Sequence, residues 1–309
     1  SRLFDMLDEQ NNQLCIQNAQ AVSRIARIDF PQDWPELLEF LHAQLSNEQV
    51  WKDTVKIYNL LIIINQVIKM LSMAKIGKCR PAYQKQSISI FPLLAQIYLH
   101  YFEQWTSTAG ELDQEETLSS MHISYLACKI LRRLCCDGFQ KSYEVPEVVE
   151  FMKISSEHFN LLVSKHDQFN LHHDQYEKFI ICFLKLWDKM NGVIGLGSSQ
   201  FLFFPSAMGI TTSLIHILLA DAEKVYNEQE DAESFWEQLA IRSFSILKKI
   251  LNYINSNKSS KTIVLKHRED TEKIKHVVSE YQANVFNTEF MTTFVDLLIN
   301  YYMKIRPIE

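Results

Sequence analysis

Histidines and cysteines are the residues of this chain best suited to binding a metal, but their spacing does not form a site. His166, His172 and His173 cluster between two apolar segments, with no second ligand pair at the spacing that metal sites use. Cys135 and Cys136 are adjacent, so on a helix their side chains diverge and do not hold one ion as a Cys-x-x-Cys pair does. The sequence therefore predicts no metal.

Signatures of nucleophilic catalysis and phosphate binding are also incomplete. Gly195 and Gly197 follow no strand pattern and lack the lysine of a phosphate loop. Ser206 and Ser234 lack the glycine-flanked context of a nucleophile elbow. We therefore expect no enzymatic activity and no cofactor.

Basic side chains on two predicted helices are candidates for contacting an acidic partner. Arg24 and Arg27 lie off the apolar stripe of the first helix, and Lys129, Arg132 and Arg133 lie on a later helix. Their guanidinium and ammonium groups form charge-assisted hydrogen bonds with carboxylates. A solvated helix face with no partner accounts for the same residues, so both interpretations stay open.

An acidic run between two predicted helices suits a basic protein partner. A plain solvated turn explains the same residues. The run consists of Glu228, Glu230, Asp231 and Glu233.

The composition indicates an all-helical chain with a sizeable core. Hydrophobic residues make up 47% of the 309 residues, which excludes disorder. Only 7 Gly and 7 Pro occur, too few for the tight turns of a strand-rich fold. The net charge of −6 disfavours nucleic acid as the main partner, because a phosphate-binding surface needs a basic surplus. The six cysteines fall mostly among apolar helical positions and are interpreted as reduced core thiols.

One apolar stretch is long enough to raise the question of a membrane span. Residues 191–220 contain no Asp, Glu, Lys or Arg. Pro205, His216 and several Ser and Thr residues dilute the stretch, and no basic cluster flanks it. We interpret it as a buried helix of a protein without a membrane-spanning segment.

Hydrophobic periodicity predicts antiparallel helix pairs throughout. On the first helix, the predicted buried stripe is Leu14, Ala21, Val22, Ile25 and Ile28. A single pair cannot bury both of its faces, so the pairs must stack into an array. The predicted helices are 11–28, then 33–45 with 49–75, 85–107 with 117–137, 145–165 with 174–191, 200–225 with 232–255, and 267–284 with 288–305.

Residues 16–38 contain a composite pattern, in which a helix ends in Ile-Ala-Arg and Trp-Pro-Glu-Leu opens the next helix. A proline between them prevents the first helix from continuing. We expect Asp33 to cap the second helix, with Pro35 in its first turn, and Trp34 to lie as a wedge between repeats. The defining residues are Ile25, Ala26, Asp29, Pro31, Trp34, Pro35 and Leu37.

This composite resembles a signature of the importin-β (karyopherin-β) superfamily of nuclear transport receptors. Residues 57–76 and 125–139 resemble the helices that follow in the importin-eleven-like branch and its fungal relatives, including Asp137-Gly138-Phe139 at the end of a basic run. The resemblance implies a HEAT-repeat α-solenoid, a right-handed superhelix of antiparallel helix pairs. Residues 1–309 are expected to form one continuous array of about five and a half repeats, truncated at both ends.

For function, the resemblance implies an importin-type receptor that acts as a monomer. Its implied partners are protein cargo, the GTP-bound form of Ran and the Phe-Gly nucleoporins, with no direct nucleic-acid or membrane partner. Such a receptor shuttles between cytoplasm and nucleus. Helix 11–28 would belong to about the third repeat, so the segment alone is expected to bind Ran weakly, because in the family the first two repeats carry much of that contact. A HEAT-repeat scaffold of another assembly, with no Ran dependence, is the alternative.

Overall fold

The computed structural model describes residues 7–73, 78–107, 114–166, 173–192, 200–220, 235–257 and 271–305. Across these ranges the chain forms helices joined by turns, and they contain no strand. Short 3-10 turns at Ser142–Glu144 and Phe201–Phe203 precede two of the helices. The helices are α1 (Asn12–Asp29), α2 (Leu37–Leu45), α3 (Glu48–Lys52), α4 (Thr54–Met73), α5 (Cys79–Ser107), α6 (Gln114–Asp137), α7 (Pro146–Ser164), α8 (His173–Met190), α9 (Ala207–Ala220), α10 (Phe235–Ser256), α11 (Thr271–Asn284) and α12 (Thr288–Ile305).

The chain divides into two compact units, and in the first the helices pack as two layers. This unit comprises Ser1–Phe151 with Phe169–Cys182. Helices α1, α4 and α6 form one layer, with α4 packed against both of the others. Helices α2 and α5 pack against each other in the second layer, and α5 pairs with α6 across the layers. This alternation agrees with the stacked helix pairs that the periodicity predicted and with the HEAT-repeat fold that the resemblance implied.

Aromatic side chains fill the interior of the first unit. The Phe179 ring centroid lies 5.6 Å from that of Phe102 and 5.9 Å from that of Trp105. Tyr98 contacts Phe151 with a centroid separation of 5.6 Å, in an edge-to-face geometry that aromatic rings favour. Trp105 also donates a hydrogen bond from Nε1 to Ser124 Oγ at 3.0 Å, which joins the two helices of a pair.

The second unit comprises Met152–Gln168 with Phe183–Glu309. It contains the same two kinds of contact, aromatic packing and a hydrogen bond from a tryptophan to a serine. Trp187 donates from Nε1 to Ser155 Oγ at 3.3 Å and packs against Phe159. Between α8 and α10, Lys249 Nζ lies 2.8 Å from Asp188 Oδ1. Helix α10 packs against both α9 and α11.

The predicted stripe of α1 was wrong for most of its members. Among them only Val22 is fully buried, whereas Ile28 is 80% exposed and Leu14, Ala21 and Ile25 are also exposed. The buried stripe instead carries small side chains, because α1 packs closely on α4 and small residues permit that approach. Its members are Cys15, Ala19, Val22, Ser23 and Ala26.

Three predicted helix starts also differ from the structure. Helix α5 begins at Cys79, six residues before the predicted position 85. Helix α2 begins at Leu37, after Glu36, and not at Asp33. The N–H groups of Asp33 and Trp34 both donate to the Asp29 carbonyl, so this segment forms a turn that continues from α1. In the 200–225 segment, α9 begins only at Ala207, just beyond Pro205, and its described part ends at Ala220.

The predicted helix 49–75 is two helices, α3 and α4, that meet at Asp53. Asp53 has an extended backbone. Its Oδ1 accepts hydrogen bonds from the N–H groups of Val55 and Lys56, each at 3.1 Å, and so caps α4. The bond from the Lys56 N–H lowers the pKa of the Asp53 carboxyl.

Gly138 ends α6, as the sequence predicted, and a larger residue does not fit there. Its N–H donates to the Leu134 carbonyl at 2.7 Å. An added Cβ would lie 2.7 Å from that carbonyl oxygen and 3.1 Å from Ser87 Oγ. We expect Gly138→Ala to lower the free energy of unfolding by about 1–3 kcal/mol, because backbone must move to relieve the overlap.

Urea unfolding followed by circular dichroism measures this loss. Gly209→Ala is the matched control, since nothing lies within 4 Å of a Cβ built at that helical position. The control should be neutral or stabilising, because alanine is the better helix former. Equal losses in the two variants would contradict the steric explanation.

Candidate partner-binding site

Three helices of the first unit, α1, α4 and α6, begin at the same end of their layer. Asn59, near the start of α4, donates from Nδ2 to the carbonyls of Leu7 and Glu9, just before α1, at 2.8 and 2.9 Å. The Tyr58 ring lies 6.5 Å from the ring of His122, near the start of α6. Because their first turns meet, the three helices run parallel, and their later turns meet at the opposite end of the layer.

Five of the partly exposed side chains of α6 form one stripe along this layer. They recur every three or four residues, the spacing of a single helix face. Near its middle, Lys129 Nζ lies 5.5 Å above the ring of Tyr125, a cation–π distance. The stripe consists of Ser119, His122, Tyr125, Lys129 and Arg132.

The predicted basic residues fall toward the late-turn end of this layer. Arg24 and Arg27 are exposed on α1, and neither side chain forms an ion pair within the ranges that the structure describes. Arg132 is partly exposed near the end of α6. Arg27 lies in the last turn of α1, where a cation is also favoured by the helix dipole. An accessible basic end on the α1–α4–α6 layer suits an acidic protein surface.

Arg133 differs from the other predicted basic residues. It is partly buried, and its Nε has no hydrogen-bond partner among the residues that the structure describes. Burial, followed by the neighbouring Arg132 charge, lowers the pKa of its guanidinium, whereas Tyr83 and Asp137 oppose that shift. Arg133 therefore belongs to a polar cluster between α5 and α6 more than to the open surface.

The early-turn end of the same layer contains an open pocket of about 310 Å³ that sequence reasoning missed. The pocket is lined by Glu9, Gln10 and Asn12, by the first turns of α4 and by the early turns of α6. These segments are far apart in sequence and no motif marks any of them. Only the parallel packing of α1, α4 and α6 brings them together.

The remaining predicted residues are distributed as follows. Leu37 and Ala26 of the composite pattern are fully buried, whereas Ile25 is 36% exposed. Asp29, Pro31 and Trp34 are partly exposed and Pro35 is exposed, and the Phe30–Pro31 peptide bond is cis. The acidic run Glu228, Glu230, Asp231 and Glu233 lies outside the described residues.

Of the histidines and cysteines that were considered for metal binding, those with described side chains are buried. His166 is buried, with its ring stacked on Phe235 at 4.6 Å. The side chains of His172 and His173 lie outside the described set. Cys135 and Cys136 are buried, and no group of three potential metal ligands occurs among the residues that the structure describes.

One described helix, α4, is long and apolar enough by composition to cross a membrane. It packs between α1 and α6, and Asn59, Asn65 and Ser72 are among its buried residues. These contacts are those of a core helix. Within the stretch considered from sequence, the described part of α9 is 14 residues long.

Comparisons with known proteins extend over the whole chain. The chain is 44% identical over 309 residues to importin beta-like protein KAP120 of Saccharomyces cerevisiae, of which it covers 29%. It is 24% identical to human importin-11 over 187 residues, which are 60% of this chain and 19% of that protein. No protein-family model matches the chain.

A solved structure agrees with these sequence relatives. It is described as that of Lph2, a novel bidirectional nuclear transport receptor in S. cerevisiae. The match has a TM-score of 0.84 and 41% sequence identity, and it covers 99% of this chain and 29% of the solved one. The chain thus spans less than a third of the length of the relatives it matches most fully.

Proposed function

Because this chain belongs to the importin-β (karyopherin-β) superfamily, we propose that it serves as part of a nuclear transport receptor of importin type. The observation that carries the proposal is the match of nearly the whole chain, in sequence and in fold, to a solved nuclear transport receptor. We propose that the full-length protein binds protein cargo and Ran-GTP, and contacts Phe-Gly nucleoporins. As a monomer, it would shuttle between cytoplasm and nucleus.

The α1–α4–α6 layer is the surface we propose for protein partners. Arg24 and Arg27 are solvent-exposed cations on α1, and Arg132 extends the basic character to α6. Such groups raise the rate of association by electrostatic steering, and they stabilise the complex by charge-assisted hydrogen bonds with carboxylates. The acidic run at 228–233 is proposed as a second contact, for a basic partner.

Coupling between partners follows from the stacking of helix pairs. In a HEAT array each repeat contacts only its neighbours, so small rotations between repeats add along the chain. A ligand that favours one curvature disfavours a ligand that needs another, which is how Ran and cargo would exclude each other. Small-angle scattering envelopes that are identical with and without Ran-GTP would remove the basis for this coupling.

The direction of transport has a second candidate. The solved relative is described as a bidirectional receptor, and this favours a protein that carries cargo out of the nucleus as well as into it. Export requires that cargo and Ran-GTP bind together, whereas import requires that Ran-GTP releases the cargo. Cargo binding measured with and without Ran-GTP separates the two.

Entry into nuclei tests the transport role itself. Fluorescently labelled full-length protein, added to permeabilised cells, should bind the nuclear envelope and enter nuclei faster than an inert protein of equal mass. Contacts with Phe-Gly nucleoporins would permit this passage without cargo. A HEAT scaffold of another assembly would stay outside like the inert protein, and that result would refute the proposal.

A further inference from the structure

The pocket at the early-turn end of the α1–α4–α6 layer has the features of a binding site for one side chain. Its volume of about 310 Å³ is at the lower end of the range of ligand pockets. It is open to solvent, and its lining includes Glu9, Tyr58, Asn59, Ser119 and His122. The chemistry of these groups indicates what kind of group fits.

The charge of the pocket is negative. Glu9 is the acidic residue of the lining, and the lining contains no Lys or Arg. Lys56, which follows the lining residue Val55, has its Nζ 3.1 Å from Asp8 Oδ1 and 3.4 Å from Asp53 Oδ2, so its charge is already neutralised. Exposed Glu115 is one turn before Ser119 on the same face of α6 and adds a carboxylate at the rim. A cation is therefore favoured and an anion is repelled.

Hydrogen-bond acceptors are also available in the pocket. Asn59 is 5% exposed, and its Nδ2 donates two hydrogen bonds, one to the Leu7 carbonyl and one to the Glu9 carbonyl. Its Oδ1 accepts no hydrogen bond from the described residues and remains open to a donor from a ligand. Glu9 Oε1 accepts from the Asn11 N–H at 2.8 Å, which fixes the carboxylate at the mouth of the pocket and leaves Oε2 for a second donor.

An aromatic wall completes the site. Tyr58 and His122 are both partly buried and line the pocket with their rings 6.5 Å apart. Aromatic faces attract cations, and a planar guanidinium stacks on them better than an ammonium does. Burial raises the pKa of Tyr58, so its phenol stays neutral and adds no repulsive or attractive charge.

We propose that this pocket binds the side chain of an arginine from a protein partner. The guanidinium would bond Glu9 and Asn59 Oδ1 while it stacks on the Tyr58 ring. Its five N–H donors in a fixed plane suit acceptors on several walls better than the point charge of lysine does. The pocket is larger than a guanidinium, and the exposed amides of Gln10 and Asn12 at its rim can bond a peptide backbone. Binding of an arginine in this pocket would not require that the protein be a transport receptor.

Ligand-observed NMR on the full-length protein tests the proposal at the weak affinities expected for one side chain. The probe is a capped pentapeptide with a central arginine between glycines, compared with the same peptide containing citrulline or lysine. We expect the arginine peptide to bind, the lysine peptide to bind several-fold more weakly, and the uncharged citrulline peptide not to bind. Agmatine, a free guanidinium, should bind more weakly than the arginine peptide. Equal or tighter agmatine binding would contradict a protein partner.

Two variants assign the binding to this pocket. Glu9→Gln keeps an oxygen for the Asn11 N–H but removes the negative charge. It should weaken binding of the arginine peptide at least about fivefold. Glu103→Gln removes an exposed carboxylate on α5, away from the pocket, and should leave binding unchanged. Ser119→Phe should fill the pocket and abolish binding. Binding of citrulline equal to that of arginine, or equal binding by the Glu9 and Glu103 variants, would overturn the proposal.

Discussion

Replacing Trp105 with alanine is expected to lower the free energy of unfolding by about 3–5 kcal/mol. Trp105 is fully buried, and its ring packs against Phe102, Tyr176 and Phe179. Alanine would leave a large cavity among aromatic rings that cannot collapse onto it. It would also leave Ser124 Oγ, in the same interior, without its indole donor. Urea unfolding monitored by circular dichroism measures the change.

Conservative variants separate the two contributions. Trp105→Phe keeps most of the apolar contact but removes the Nε1 donor, and should cost about 1–3 kcal/mol. Adding Ser124→Ala to Trp105→Phe should recover part of that loss, because it removes a buried hydroxyl oxygen that no longer accepts a hydrogen bond, although the hydroxyl still donates to the Met121 carbonyl. A loss below about 1 kcal/mol for Trp105→Ala would show that this aromatic cluster does not hold the first unit together.

Acidification from pH 6.5 toward pH 4 is expected to destabilise the second unit through His158. Burial lowers the pKa of His158 from 6.5 to about 4. Below pH 6.5 the unfolded chain therefore binds a proton that the folded chain does not, so stability falls as the pH falls toward 4. At 1.36 kcal/mol per pKa unit, the loss approaches about 3 kcal/mol at its limit.

Unfolding measured at several pH values tests the role of His158. His158→Gln removes the titrating group and should reduce the loss of stability between pH 6.5 and pH 4. His216→Gln, on the exposed face of α9, is the matched control and should keep the pH dependence of the unsubstituted protein. If the His158 variant loses stability on acidification as steeply as the control, burial of His158 is not the cause.

Periodicity predicted α8 well because one of its faces carries large apolar residues and the other does not. Within the predicted helix 174–191, Tyr176, Phe179, Phe183 and Trp187 follow the 3.6-residue spacing of one helix face, and all four are buried. Helix α1 has two largely apolar faces, one with large side chains and one with small side chains. Hydrophobicity alone predicted that the face with the large side chains is buried. Packing against α4 selected the small ones, and that choice depends on a neighbour that is distant in sequence.

The start of α2 and the pocket were missed for related reasons. Asp33 has the residue type of a helix cap, but the Asp29 carbonyl holds the Asp33 N–H in a turn, which side-chain preference does not reveal. The pocket contains single polar residues from three segments, and none of these segments has a motif. By contrast, the composite at 16–38 predicted the family, because several uncommon residues occur there at fixed offsets.

Nucleotide-selective binding of Ran tests the transport account most directly. Full-length protein should bind Ran loaded with GTP much more tightly than Ran loaded with GDP at moderate salt. Reversing the charges of Arg24 and Arg27 to glutamate should weaken that binding, or the binding of acidic cargo if the arginines face cargo instead. Segment 1–309 alone should bind Ran-GTP more weakly than the full-length protein. Equal binding of both nucleotide forms, or none of either, would contradict the account and leave a HEAT-repeat scaffold with no Ran dependence.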